Sequence, residues 1–517
     1  MRKMTLTGLL LAAALPLAAQ RPSDFQQMEL ETLLQPFSKT VNAAGMGLAQ
    51  PSPGSLTGLG IFREAGDFHL AQQGDADLGF TFSTLRYDSF SDKLFMRGAF
   101  SYTLDREKDR KWSDVMDPWF SSPYIFGSAV AKDYDSHDCR LAFDLYTAPL
   151  SDIVSLGIKT DYRVADISGK RDPRPRTGFL DYQLVPSVLL SFGPHRAGLG
   201  AGYGHSKEKL SGLTTIQSYP NLYYYKMSGL DHLDGAIAAY SGFKRQFVGD
   251  RFLAELSYAY TGGDWTLLAA AGAEYRNQFA YGDKMQTPGS FNYLAFNAQA
   301  DLTVRRAPTV HHLRLEGNYK DAGADEYLQE LTAVKDPVTG ATTETWETLY
   351  VYRNRYMLKT WDATASYALF GGWTGRDYRW KAGARAGLQG FDKAFYLPQS
   401  GFSAAAWTAE LSGAGRIAAR RGHRLDLSAA IRGRLPQKVT LDLQENNLYT
   451  REVLEPDRDY YAAKSMALDA GLCWQFPLNL GKAGLASGYV RLDGGLCKTS
   501  DRRQWSRVEL AVGLFTF

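Results

Sequence analysis

The sequence predicts an all-β fold: a single-chain antiparallel transmembrane β-barrel of about 18 strands, with short periplasmic turns and long extracellular loops. Sixteen strands would also fit the pattern. Two observations predict it. Segments of ~10–15 residues alternate apolar and polar side chains, about twice the ~5–6 residues of a globular strand and enough to cross a bilayer at a tilt. The connections between them alternate short and long, the layout of an outer-membrane barrel. A closed barrel also pairs every backbone polar group in lipid without leaving an edge. Composition narrows the alternatives. The 517 residues are 44% hydrophobic and 22% charged, with Tyr 30, Phe 27, Trp 10 and Gly 50, too aromatic for a disordered chain. Mean hydropathy is −0.30, and after Ala19 no run of ~18 uncharged apolar residues offers a spanning helix. Three Cys exclude a disulfide scaffold. The formal charge of +3 gives no reason to expect a nucleic-acid partner.

In chain order, residues 1–19 read as a secretory signal: a basic head of Arg2 and Lys3, an apolar run Leu9–Leu15, and a small-residue exit Pro16–Ala19. Residues 20–54 form an N-terminal segment with a short helix. Its stripe is Phe25, Met28, Leu30, Leu33 and Leu34, Asp24 is its cap candidate, and Pro36 ends it. The segment is expected inside the barrel or just below it in the periplasm.

Residues 55–517 are expected to form the barrel. The clearest hairpin sets Leu294, Phe296, Ala298, Ala300, Leu302 and Val304 against Asn297, Gln299, Asp301, Thr303 and Arg305, then returns through Leu313, Leu315, Gly317 and Tyr319. The same pattern places strands at 55–65, 76–88, 92–105, 137–148, 152–165, 178–191, 195–207, 249–262 and 264–278. It continues at 289–305, 309–321, 358–371, 377–391, 400–417, 423–436, 463–477, 485–498 and 504–517. Long polar loops fall near 106–136, 166–177, 208–248, 322–357 and 437–462, and Gly235–Tyr240 reads as either strand or loop. Phe515 and Phe517, two apart at the end of the chain, resemble in part the signal by which barrel-assembly machinery reads a last strand, although Gly513, Ala511 and Glu509 continue that face poorly; this is the candidate membrane-insertion signal.

Several stretches resemble a Bacteroidota family of outer-membrane β-barrel proteins of unknown function: Gly66–Asp75, Trp112–Trp119 with Ser122-Pro-Tyr124, and Asp172–Thr177. The resemblance spans most of the mature chain and implies a fold and a membrane rather than an activity. Asn42-Ala-Ala-Gly45 is similar to the N-terminal segment of the long-chain fatty-acid transporter family, a likeness of four residues.

The candidate ligand-binding residues are Trp112, Asp114, Asp117 and Trp119, two carboxylates among aromatics in a long loop; turn-making by Asp-Pro, with Trp packing the loop base, is the competing reading. Arg171, Arg174 and Arg176 are placed to meet lipopolysaccharide phosphates or to pair with loop acids. The expected lumen lining is Lys159, Asp161, Asp301, Arg305, Arg314, Glu316, Arg432, Arg434, Asp469, Arg491 and Asp493. Both signs are present, so strong ion selectivity does not follow. The eight His show no metal-ligand spacing, and no cofactor is implied. His311 has the parity for a lipid-facing site but no Ser partner, and Asp135, His137 and Asp138 are the nearest approach to a protease cluster. No catalytic residues emerge, and no enzyme is expected. The expected function is a passive channel or carrier for a small solute, with a surface-binding barrel acting through its loops as the alternative. The expected partners are outer-membrane lipid, lipopolysaccharide and the barrel-assembly machinery. The solute and the oligomeric state stay open.

Overall fold

The computed structural model describes residues 25–48, 53–214, 223–237, 245–282, 285–335, 337–339, 341–375, 377–480 and 485–516. The expected leader, its following residues through the cap candidate Asp24, and Phe517 lie outside these residues. The chain opens with helix α1 (Phe25–Leu34) and two 3-10 turns (Pro36–Lys39 and Ala43–Leu48). The wall follows as β1 (Gly54–Gly66), β2 (Ala76–Ser91) and β3 (Leu94–Arg110), then β5 (Lys132–Thr147), β6 (Val154–Gly169), β7 (Arg174–Phe192) and β8 (His195–Thr214). It continues as β11 (Arg245–Gly262), β12 (Trp265–Tyr281), β13 (Gly289–Arg306), β14 (Thr309–Lys335), β15 (Thr342–Gly371) and β16 (Trp380–Phe395). The last wall strands are β17 (Ser400–Arg420), β18 (His423–Asp442), β19 (Ser465–Asn479), β20 (Leu485–Thr499) and β21 (Gln504–Thr516). Each pairs antiparallel with the next, and β21 pairs back onto β1 from Ser55↔Thr516 to Gly66↔Trp505, closing an 18-stranded barrel. Three short strands, β4 (Phe126–Gly127), β9 (Tyr224–Gly229) and β10 (His232–Ile237), form a separate small sheet within the long connections. Helix α2 (Glu455–Ala462) follows a π-turn at Thr450–Leu454. Among the described residues no helix is long and apolar enough to cross a membrane.

The outer face is apolar where the alternation places it: Leu156, Leu315, Leu427 and Leu468 point outward and are 47–58% exposed. Two aromatic belts bound this band. Near the end that carries the termini stand Tyr258, Trp265, Tyr367, Trp380 and Trp474; toward the other end stand Tyr162, Tyr203, Tyr275, Tyr319 and Trp407. Trp265 and Tyr275 are ten residues apart on β12. At ~3.3 Å per residue and a ~40° tilt that is ~25 Å, the height of a lipid-facing band. Five of the histidines belong to this outer surface. His137, His195 and His311 bond the Tyr102, Tyr258 and Tyr367 hydroxyls at 2.7–2.8 Å, His205 contacts Asp250 at 2.8 Å, and His423 stacks on Trp474. Asp135 and His137 point outward while Asp138 points inward to Arg140 and Arg163, so these three do not converge.

Several expected loops are shorter than the sequence suggests. The segment 322–357 is not a loop: β14 and β15 run 27 and 30 residues as one ladder from Thr309↔Gly371 to Lys335↔Thr342. Register shifts at Ala324/Glu326 and Leu328/Gln329 break the in/out parity there and hid the strands, although Thr and aromatic residues favour extension. At 166–177 only residues 170–173 turn, since β6 and β7 extend to meet at Asp172-Pro173. The loop 437–462 carries a helix, and Gly235–Ile237 belong to β10, off the barrel wall; residues 238–240 lie outside the described residues.

Candidate functional site

The N-terminal segment runs round the inside of the termini-bearing mouth and touches the wall strands in turn. The Phe25 ring packs on Tyr489 of β20 and Phe515 of β21 at 4.7 and 4.8 Å. Gln26 donates to Asp426 of β18 at 3.2 Å and accepts from Arg416 of β17. Glu29 pairs with Lys381 of β16 at 2.5 Å, and Leu33 packs beside Val310 and Phe370. Gln299 of β13 donates to the Lys39 carbonyl. The Val41 N–H donates to Glu255 of β11 at 3.0 Å, and Lys159 of β6 donates to the Thr40 carbonyl at 3.3 Å. Asn42 donates to Ser257 of β11 and to the Val188 carbonyl of β7, while the Ala44 N–H donates to Ser187. Met46 closes the circuit against Phe95 and Tyr146 of β3 and β5. Ten helical residues at ~1.5 Å and fourteen others at ~2–3 Å give ~45–60 Å of path. The small residues of Asn42-Ala-Ala-Gly45 are what let this hoop lie flat. A Cβ on Gly45 would strike the Phe37 ring at 2.0 Å, and one on Gly157 of the wall would strike the Ala44 nitrogen at 2.2 Å.

The opposite mouth is closed by three connections folded inward. Residues 111–131, the β9–β10 hairpin and residues 443–464 share one apolar core that includes Trp112, Val115, Tyr124, Met227, Leu230, Tyr449 and Val453, packed against the inward faces of Phe247, Phe291, Tyr356, Phe395 and Phe402. Trp112 is fully buried at its centre, and its indole N–H donates to Glu452 at 2.7 Å. Asp114 is buried beside Arg245 at 3.3 Å, with Glu208 at 3.7 Å on the same guanidinium. Asp117 is exposed at the loop tip, where its carboxylate accepts the Trp119 N–H in a local turn. The four loop candidates therefore do not form one ligand site: Trp112 and Asp114 hold the loop core, and the 117–120 tip hangs into the lumen, where Lys320 donates to the Phe120 carbonyl at 2.8 Å. Arg434 fastens the third connection by donating to the carbonyls of Tyr460 and Tyr461, the two residues before the last of α2, at 3.1 and 3.2 Å. Asp457 of that helix accepts the Ala71 N–H at 2.8 Å. Burial pushes its carboxyl up to about 6.

Between the closures lie two cavities against the wall that runs from β14 through β21 to β1 and β2. The upper, about 930 Å³, is lined by Phe120, Lys320, Arg385, Phe391, Arg434 and Tyr461 among others. The lower, about 730 Å³, is lined by Phe25, Ser412, Asp469, Tyr489, Arg491 and Arg507 among others. Glu410 and Arg432 line both, so the two spaces abut. The end of the hoop lies close on β5 and β6, where Gly47 meets the Thr147 carbonyl and Gly157 meets the Ala44 backbone, whereas on the cavity wall the inward Gly58, Gly471 and Gly495 make room for the side chains of Tyr489, Asp493 and Asp469.

The lumen is polar yet charge-compensated. Asp301 meets His312 and Arg314 at 3.0 and 2.9 Å, and Arg314 also bonds Glu316. Arg432 pairs with Asp469, and Arg491 with Asp493, each at 2.6 Å. Glu410 stands directly across from Arg385 on β16 and Arg432 on β18. Asp161 shares the inward parity of Lys159, and Arg305 sits beside the β13–β14 turn at the hoop end. Sequence reasoning passed over Arg385, Glu410 and Lys320, although each has inward parity in an expected strand. It had no signal for Tyr460 and Tyr461, which reach the lumen from a connection. Phe515 is fully buried against Phe25 and Tyr489 and faces the lumen rather than lipid. Among the described residues no group of three or more His, Cys, Asp or Glu is arranged to hold a metal.

Among solved structures, the chain is similar to the ferric citrate transporter FecA (10% identity, TM-score 0.40, covering 89% of this chain and 78% of that one). It is similar to the copper transporter OprC (10% identity, TM-score 0.36, 89% and 81%) and to a Pseudomonas aeruginosa FadL homologue (11% identity, TM-score 0.32, 93% and 94%). No curated protein matches. A family model does match, over residues 43–516, from the buried Ala43 of the hoop through the last wall strand. The chain thus belongs to the family of unknown function DUF6850.

Proposed function

We propose that the protein is an outer-membrane barrel that passes a small hydrophilic solute passively along one side of its lumen, through a chamber closed at rest by the inner hoop and the folded-in loops. The observation that carries this reading is the pair of abutting cavities between those two closures. The termini-bearing end would face the periplasm and the long connections the exterior, following the usual layout of such barrels. Paired charges along the path favour a polar solute without strong ion selectivity, since compensated charges present hydrogen-bonding groups but little net field. The reading includes no catalytic step, and barrel-assembly machinery would insert the chain. Reconstituted protein should give slow but measurable solute flux, rising when the loop fastening at Arg434 is removed. Absence of flux in both wild-type and Arg434→Ala vesicles would overturn the proposal.

The β14–β15 hairpin supports a second reading, a barrel that binds a surface partner. It continues well beyond the upper aromatic belt and exposes Leu328, Val334, Leu349 and Tyr350. Retention of surface binding with loss on shortening the hairpin, in a barrel without flux, would favour it.

A further inference from the structure

The outer surface of β7 and β8, just beyond the upper aromatic belt, carries an uncompensated group of cations. On β8 the outward parity set by Leu199 and Tyr203 continues through His205 to Lys207 and Lys209, which are exposed and have no ion pair among the described residues. On β7 the outward parity of Leu184 and Tyr182 continues to Arg176, whose only carboxylate partner among the described residues is Asp166 at 3.0 Å. Register places Lys207 beside Leu180 and Lys209 beside Gly178, while Asp166 flanks Gly178 from β6. A side chain built on Gly178 would meet nothing within 4 Å, so the glycine leaves a shallow open floor between the three cations. At their own level the three cations face Asp166, and the next carboxylate, Asp250 on β11, lies one step below and is held by Tyr203 and His205.

The surroundings say what fits there. Below the cations lie Tyr182 and Tyr203 of the belt, their rings 6.4 Å apart, and then the apolar band. To one side Val248 and Phe279 continue the outward faces of β11 and β12 next to Lys207. Lys207 is four residues above Tyr203, ~10 Å along a tilted strand, which is headgroup depth when the belt sits at the interface. On β15, by contrast, Lys359 stands directly between Asp321 of β14 and Asp392 of β16.

We propose that Arg176, Lys207 and Lys209 form a docking site for a phosphorylated lipid headgroup of the surrounding leaflet, with the acyl chains lying on the apolar band beneath. The ammonium groups supply point charges and the guanidinium a fork for phosphate oxygens. The site does not depend on solute passage, because it lies on the outer face.

The test uses the full-length barrel in phosphatidylcholine nanodiscs doped with about a tenth of bisphosphorylated lipid A, or with the same lipid after removal of its phosphates, and measures the doped lipid that stays with the barrel on detergent extraction. Lys207→Gln/Lys209→Gln changes two side chains without ion-pair partners among the described residues, so the fold should be unaffected, as checked by heat-modifiable gel mobility. Wild type should retain the phosphorylated lipid selectively, the double variant should lose about tenfold or more of it, and Lys359→Gln should behave as wild type. Equal retention of phosphorylated and dephosphorylated lipid by wild type, or retention by the double variant within twofold of wild type, would overturn the proposal.

Discussion

Replacing Arg434 by Ala should open the outer mouth without unfolding the barrel. The guanidinium reaches from β18 to the Tyr460 and Tyr461 carbonyls and lies over both rings at 5.4 Å. Two hydrogen bonds from a charged donor contribute ~1.5–3 kcal/mol each, and a partly desolvated cation–π contact ~1. Desolvation of the guanidinium opposes these gains, leaving ~2–4 kcal/mol on the docking of α2. That is a factor of about 30 to 1000 in the closed-to-open ratio. The carbonyls left behind face a cavity that water enters, so the wall itself loses little. Limited proteolysis in residues 443–464 and vesicle solute flux should both rise by at least about tenfold, while the barrel melting temperature stays put. Arg434→Lys, which keeps the charge but not the two-pronged donor, should fall between. Unchanged proteolysis and flux in the Ala variant would refute the fastening role. A collapse of the barrel melt would show that Arg434 holds the wall instead.

Ile431, outward and near the middle of the apolar band, should cost ~2–4 kcal/mol when changed to Arg, whereas Leu427, close above the level of Trp474, should cost less; equal tolerance in urea unfolding of the reconstituted barrel would contradict the depth assignment. Asp457 should make the outer closure pH-sensitive. Burial raises its folded value above that of the free carboxyl, so the closed form binds the proton more tightly, its stabilisation is complete below pH ~4, and it is lost as pH rises to about 6. The span of about two units corresponds to ~3 kcal/mol; Asp457→Asn should flatten the pH profile of loop proteolysis, and an unchanged profile would count against it. Cys139, Cys473 and Cys497 are free; Cys497 lies opposite Ala467, six residues from Cys473 and so ~20 Å along the ladder, rather than the eight that strand lengths alone suggest. Thiol titration of denatured, unreduced protein should find three free thiols, and a single thiol would overturn the register.

The wall was legible in the sequence because lipid is a uniform apolar solvent. Every second residue from Leu294 to Val304, or from Leu425 to Ile431, must suit it, and that demand repeats wherever the chain crosses. The short turns were legible for the same reason, as the places where alternation stops and restarts. Bulges defeat this logic, which is why β14 and β15 read as a loop beyond Asp321. The closures were not legible. Trp112, Met227 and Val453 come from connections more than a hundred residues apart, and no local period relates them; they meet because barrel closure brings their loop bases to one rim. The hoop shows the same division. Its short helix and the small residues at 42–45 stand in the sequence, but their partners, Glu255, Ser187, Lys381 and Phe515, are spread across the whole wall. Local alternation determined which face of each strand meets lipid. Only the closed ring of eighteen strands decided what those inner faces hold, because the lumen's occupants are chosen by residues from every strand at once.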